Sequence, residues 1–156
     1  MRLRQLILTD DLPQVLPDLR EVFCYNRRMA KHFTPDEANQ LLPQVRALVI
    51  QVMHARQVII DARPELWPVL EKGLGNGGSK KAGAMIQEFR RVEDGLRDLK
   101  DLGIVVKDIS IGLVDFPALR AGREILLCWK FNEPRVAYWH ELQSGYAGRQ
   151  KLSDAD

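Results

Sequence analysis

Glu124-Ile125-Leu126-Leu127-Cys128-Trp129-Lys130-Phe131 is the stretch whose reading decides the fold class. It is short, apolar and charged at its start, which fits a strand and is too brief for a typical globular helix. Strand side chains alternate, so Ile125, Leu127, Trp129 and Phe131 share one face while Leu126 and Cys128 share the other. Both faces are apolar in the middle. Such a strand is expected to be covered on both sides, by helices on one and by a second subunit on the other.

Asn132-Glu133-Pro134 turns the chain into a further strand, Arg135–Glu141. A loop of two or four residues places Val136, Tyr138 and His140 on the Trp129 face, with Ala137 and Trp139 behind beside Cys128. A three-residue loop reverses both assignments, because a one-residue slip exchanges the faces of a strand. Before the deciding stretch, Ile104–Asp108 and Leu113–Phe116 read as two more strands, and Arg120 and Arg123 flank a turn containing Gly122.

Further upstream the period becomes helical. Thr34 fits an N-cap, Pro35 the first helical position, and Glu37 completes a capping box. Ala38, Leu41, Leu42, Val45, Leu48, Val49, Val52 and Ile59 then recur at helical spacing up to about Ala62. Pro43 lacks an amide proton, so a kink or break is expected near Gln40–Leu42. Pro64 and Pro68 bracket a short Trp67-containing turn or helix, and Gly75-Asn76-Gly77-Gly78-Ser79-Lys80-Lys81 reads as a flexible loop. A second helix carries Met85, Phe89, Val92, Leu96 and Leu99, and Gly103 closes it. The expected fold is α+β: two long amphipathic helices, the first kinked at a proline, packed on a C-terminal antiparallel β-meander of about four strands.

The domain is expected over 29–152, with a helical half at 34–102, a β half at 103–142 and a Gly-rich tail at 143–152. Residues 1–28 read as an extension or a start placed too far upstream, with a possible short helix, and 153–156 as a disordered tail. Basic and acidic side chains number 23 and 21 and are evenly spread, so no basic cluster marks a nucleic-acid surface. No apolar stretch is long enough to span a bilayer, and Leu6-Ile7-Leu8 is cut off by Asp10-Asp11 before it could serve as a signal sequence. With only two cysteines, Cys24 and Cys128, no disulfide framework is implied, and a reduced cytoplasm is expected.

Gly73, Gly78 and Lys80 approach a phosphate-loop spacing, but Ser79 precedes Lys80 where the motif needs it to follow, and no strand leads in. His32, His54 and His140 show no paired ligand spacing and the cysteines form no CxxC, so no metal or other cofactor is expected. Polar groups that interrupt the strands carry the interest. Asp108 ends one strand, Asp115 lies inside another, and Trp139-His140-Glu141 closes the last before Gly145-Tyr146-Ala147-Gly148-Arg149. A charge near a core must be paired or solvated in a cleft. On the structural reading, Asp115 pairs with Arg123 or Arg149, and His140 is a satisfied core histidine. On the functional reading the same groups line a pocket: Arg123 and Arg149 grip an anion, Trp139, Tyr146 and Asp108 stand beside it, and Asp115 and His140 are the catalytic candidates.

Phe33-Thr34-Pro35-Asp36-Glu37-Ala38-Asn39 with Leu41-Leu42-Pro43, and Gly103-Ile104-Val105-Val106-Lys107-Asp108, resemble the bacterial domain of unknown function 2203 family. Gly112-Leu113-Val114-Asp115-Phe116-Pro117, Gly122-Arg123, Leu127-Cys128-Trp129, Tyr138-Trp139-His140-Glu141 and Gly145-Tyr146-Ala147-Gly148-Arg149 resemble it too, over roughly Met29 to Leu152. The resemblance implies small bacterial cytoplasmic proteins that begin near Met29, with no assigned activity and no catalytic residues to carry over.

Three functions remain open at this point. The first is a non-enzymatic homodimer that binds a protein partner or small anionic ligand through the C-terminal sheet. The second is a hydrolase-like or metal-assisted enzyme using Asp115, His140 and Arg149. The third is a helical-hairpin accessory factor of a nucleic-acid machine, by architectural analogy.

Overall fold

The computed structural model describes residues 31–72 and 80–153. The expected extension at 1–28, most of the expected Gly75–Lys81 loop and the last residues of the tail lie outside the described residues. Lys31–Asp156 form one compact unit.

Helix α1 runs from Pro35 to Lys72 and opens on the capping box read from the sequence. The Thr34 amide donates to Glu37 Oε2 at 2.9 Å, and the Glu37 amide donates to Thr34 Oγ at 3.2 Å. Pro43 does not break the helix. It forfeits one bond to the Asn39 carbonyl, but its ring lies on the exposed side. Ala38, Leu42, Val45, Val49, Val52 and Ala55 still form one buried stripe. The helix also continues past Ala62 through Pro64 and Pro68 to Lys72, so the expected separate turn around Trp67 is helical. Helix α2 spans Lys80–Asp101 and packs along α1 as a hairpin. A Cβ placed at Gly95 would lie 2.4 Å from Val52 Cγ2, so the absence of a side chain there lets the two backbones approach. After α2, the Ile104 amide returns to the Leu99 carbonyl at 3.0 Å and starts the sheet.

The sheet is an antiparallel meander in the order β1-β2-β3-β4-β5. Its strands are Val105–Asp108, Leu113–Arg120, Arg123–Lys130, Tyr138–Glu141 and Gln150–Lys151. The fifth was absent from the sequence reading, being two residues long inside the Gly-rich tail, too short for any periodicity to declare it. Strand β2 is longer than expected and runs through Pro117. Proline is tolerated there because β1 pairs only with the first part of β2, up to Asp115. The Pro117 carbonyl faces that open side and accepts the Phe33 amide at 2.7 Å.

Between β1 and β2 the chain passes Gly112 at φ 63°, where a Cβ would lie 2.6 Å from Phe131 Cβ and 3.0 Å from Met53 Sδ. Only glycine fits both that backbone and that space. Between β2 and β3 the turn is Ala121-Gly122, both at positive φ, which matches the twist of a tight hairpin.

The connection 131–137 between β3 and β4 holds an odd number of residues, and it settles the strand parity. Leu127 pairs with Trp139, and Cys128 with Tyr138, so the odd-loop alternative holds and the even-loop placement of His140 beside Trp129 does not. The loop owes its shape to distant groups. The Glu133 carbonyl accepts the Trp129 indole N–H and an Arg46 N–H, each at 3.0 Å. Its carboxylate accepts the Lys130 amide at 2.9 Å and Arg149 at 2.7 Å. The Asn39 side chain bonds both backbone groups of Val136. One sheet face thus carries Val114, Phe116, Ala118, Ile125, Leu127, Trp129 and Trp139 onto Ala38, Leu42, Val45, Val49 and Leu99 of the helices.

Candidate metal centre

The other sheet face is where the polar residues meet. Asp115 on β2 pairs in register with Cys128 on β3, and His140 on β4 pairs with Leu126, one alternate position along. All three side chains therefore project to the side away from the helices. Asp115 and Cys128 are 0% exposed and His140 2%, so the group is wholly buried. One ligand-type atom from each, a carboxylate oxygen, Sγ and an imidazole nitrogen, lie within 4.8 Å of one another.

The hydrogen bonding of this group is incomplete. His140 Nε2 stands 3.3 Å from Asp115 Oδ2, and Lys107 Nζ stands 3.8 Å from the same oxygen. Neither contact is aligned as a hydrogen bond, and both Asp115 oxygens lack an aligned donor. A buried carboxylate without an aligned donor is costly, and the two cationic contacts offset that cost only in part. On its other side His140 is well held: Nδ1 lies 2.8 Å from the Glu141 carbonyl. A carbonyl only accepts, so Nδ1 carries the proton, and Nε2 either bears the second proton of an imidazolium or points a lone pair at Asp115. The Asp115 carboxylate raises the His140 pKa above the ordinary imidazole range, burial opposes it, and the Glu141 carbonyl adds to the rise. Burial, and then the charge of Asp115, push the Cys128 thiol far upward.

These relations bear on chemistry. A cysteine nucleophile needs the imidazole beside the thiol, with the carboxylate behind the imidazole. Here Asp115 is the neighbour of both the thiol and the imidazole, and burial first and the carboxylate second push the thiol pKa upward, the opposite of activation. A mixed oxygen, sulfur and nitrogen set on adjacent strands instead suits a borderline transition-metal ion. His140 donating Nδ1–H to a backbone carbonyl is the usual way a ligating imidazole is oriented through Nε2.

The remaining sequence candidates disperse. Arg123 is exposed beside the β2–β3 turn, and Arg149 pairs with Glu133, so neither is the partner of Asp115 that the sequence reading expected. Arg149 also donates to the Cys128 carbonyl at 3.3 Å and lies over the Tyr138 ring at 4.2 Å and the Tyr146 ring at 4.9 Å. Trp139 points to the helix side, away from His140, with the Arg120 guanidinium 4.3 Å over its ring. Tyr146 is exposed. Asp108 accepts the Ser110 amide and hydroxyl and so shapes the β1–β2 turn. His32 pairs with Glu124 at the surface, and His54 is exposed on α1.

Sequence reasoning left Cys128 and Lys107 out of the candidate site residues, although Cys128 is the free, buried cysteine beside Asp115. The signal for Cys128 was present: a two-residue turn at Ala121-Gly122 pairs Arg120 with Arg123, and counting back along both strands sets Asp115 opposite Cys128. Nothing comparable pointed to Lys107, because a bulge in β1 shifts the register between Val106 and Asp108.

No helix among the described residues is long and apolar enough to cross a membrane. No curated protein and no solved structure matches the chain. Residues 31–152, which span both helices, the whole sheet and the Asp115–Cys128–His140 group, match a family model, and the chain belongs to that family, described as an uncharacterized conserved protein (DUF2203).

Proposed function

We propose that this domain is a metal-binding protein that takes one divalent transition-metal ion, of the zinc class, through Asp115, Cys128 and His140. The observation that carries the reading is the convergence of three ligand-type atoms within 4.8 Å around a fully buried carboxylate that lacks aligned donors. Soft sulfur and imidazole argue against calcium and magnesium, which favour oxygen ligands. The burial of all three side chains supports a structural or sensing ion, and three protein ligands leave one position of a tetrahedral ion for a further donor.

The test uses the full chain, purified without a metal-affinity tag. Elemental analysis is expected to find one bound transition metal, or one Zn2+ or Co2+ taken up per chain. Cobalt should show thiolate-to-metal charge transfer that Cys128→Ser abolishes. Asp115→Asn, Cys128→Ser and His140→Gln should each weaken binding roughly 100-fold or more, since loss of an outer-shell partner alone costs 10–100-fold. Uptake by the triple variant equal to that of the native chain would sink the proposal.

A second reading, a self-associating module that binds a partner or small anion, has one observation in its favour. Tyr146 is 46% exposed, with the Arg149 guanidinium at 4.9 Å and the Lys130 ammonium at 5.8 Å from its ring. Aromatic and arginine side chains in that grouping favour binding surfaces. The pairing of Arg149 with Glu133 weakens the reading for anions. Light scattering at working concentration tests the dimer, and a strictly monomeric species would remove it.

A further inference from the structure

Lys107 stands in an unusual place for a lysine beside ligand-type groups. It is the residue at which the β1–β2 register shifts: Val106 pairs with Val114 and Asp108 with Leu113, which leaves Lys107 the extra residue of a bulge. Bulges re-aim side chains, and this one carries the Lys107 ammonium to 3.8 Å from Asp115 Oδ2, the same oxygen that His140 Nε2 approaches. The side chain remains 34% exposed, so it reaches both the buried carboxylate and the solvent boundary.

We infer that Lys107 is a tethered cation that competes with a metal ion for Asp115 and sets how tightly this domain holds metal. The inference rests on the metal-binding reading above and adds a regulator to it. Two cations cannot share one carboxylate oxygen at close range without strong repulsion, which at a few ångströms exceeds thermal energy even where the site is partly solvated. With no metal bound, the ammonium offsets the buried charge of Asp115. When an ion binds, Lys107 must swing outward, and the cost of that displacement is subtracted from the affinity.

The experiment compares the native full chain with Lys107→Met and Lys107→Arg, using Zn2+ competition against a chromophoric chelator together with thermal unfolding in a chelator. Methionine keeps the length and removes the charge. Lys107→Met is expected to bind Zn2+ about tenfold more tightly or better, and to unfold at a lower temperature when metal is withheld. Lys107→Arg, which keeps the charge, is expected to retain the weaker native affinity. A merely structural lysine would not yield opposite signs in the two readouts. Native binding with Lys107→Met unchanged or weaker overturns this inference alone. If neither the native chain nor Lys107→Met takes up Zn2+ or Co2+, the metal-binding reading itself fails, and this inference with it.

Discussion

The two faces of the sheet are built from the same strands and do different things. On the helix side, Val114, Phe116, Leu127, Trp129 and Trp139 fill a core closed by α1 and α2. One residue along each strand, on the opposite side, stand Asp115, Cys128 and His140, equally buried, with both Asp115 oxygens lacking an aligned donor. Burial alone therefore does not separate a core from a site. What separates them is whether the buried groups have their partners: the apolar face needs only contact, whereas the polar face asks for hydrogen bonds or an ion.

Substitutions on the two faces should part company. The largest effect is expected from Trp129→Ala, which empties the centre of the helix-side core and removes the indole bond to Glu133. It should cost about 3–5 kcal/mol in urea unfolding, with or without metal. Gly112→Ala comes next, since φ 63° and a Cβ 2.6 Å from Phe131 Cβ combine strain with overpacking. A loss of roughly 2–4 kcal/mol should appear in the same assay. On the polar face, the double change Asp115→Leu with His140→Leu should leave metal-free stability within about 2 kcal/mol of native, or raise it, while ending metal uptake. Collapse of that double variant would erase the contrast and assign Asp115 and His140 to the scaffold.

The smallest effect is the dependence on pH in the presence of a chelator. The folded-state pKa of His140 is raised, chiefly by Asp115. Its contribution is therefore fully present below the ordinary imidazole value of about 6.5 and is lost as pH rises through the folded value. Stability followed by urea midpoint should fall over that window, and His140→Gln should flatten the curve. A native profile that rises through neutral pH would contradict the pairing.

The sequence made much of this fold legible because the signals were local. The Thr34–Glu37 capping box, the α2 stripe and the turn at Gly122 are each decided within a few residues. Asp115 and His140 were identified as polar interruptions of apolar strands, and they do stand together. What was not legible depends on contacts distant in the chain. The odd connection 131–137 is held by Arg46 and Asn39 on α1, so no local rule could state its length. Without that parity, His140 could not be placed beside Cys128. Of the kink or break expected at Pro43, the break does not occur, because the turn around Pro43, read alone, does not reveal the packing on either side of it.

The Asn39 amide carries a consequence for how the chain reaches this state. It donates to the Val136 carbonyl at 3.3 Å and accepts the Val136 amide at 2.9 Å, as an adjoining strand would. The two residues are 97 positions apart in sequence. A helix that docks as a substitute strand binds the first turns of the domain to its last hairpin, and the entropy of closing that long loop falls on the folding rate. The helical hairpin can form early on its own local contacts. The loop that aligns His140 with Cys128 is bonded by Asn39 and Arg46 of α1, so the geometry of the site depends on how that helix is docked.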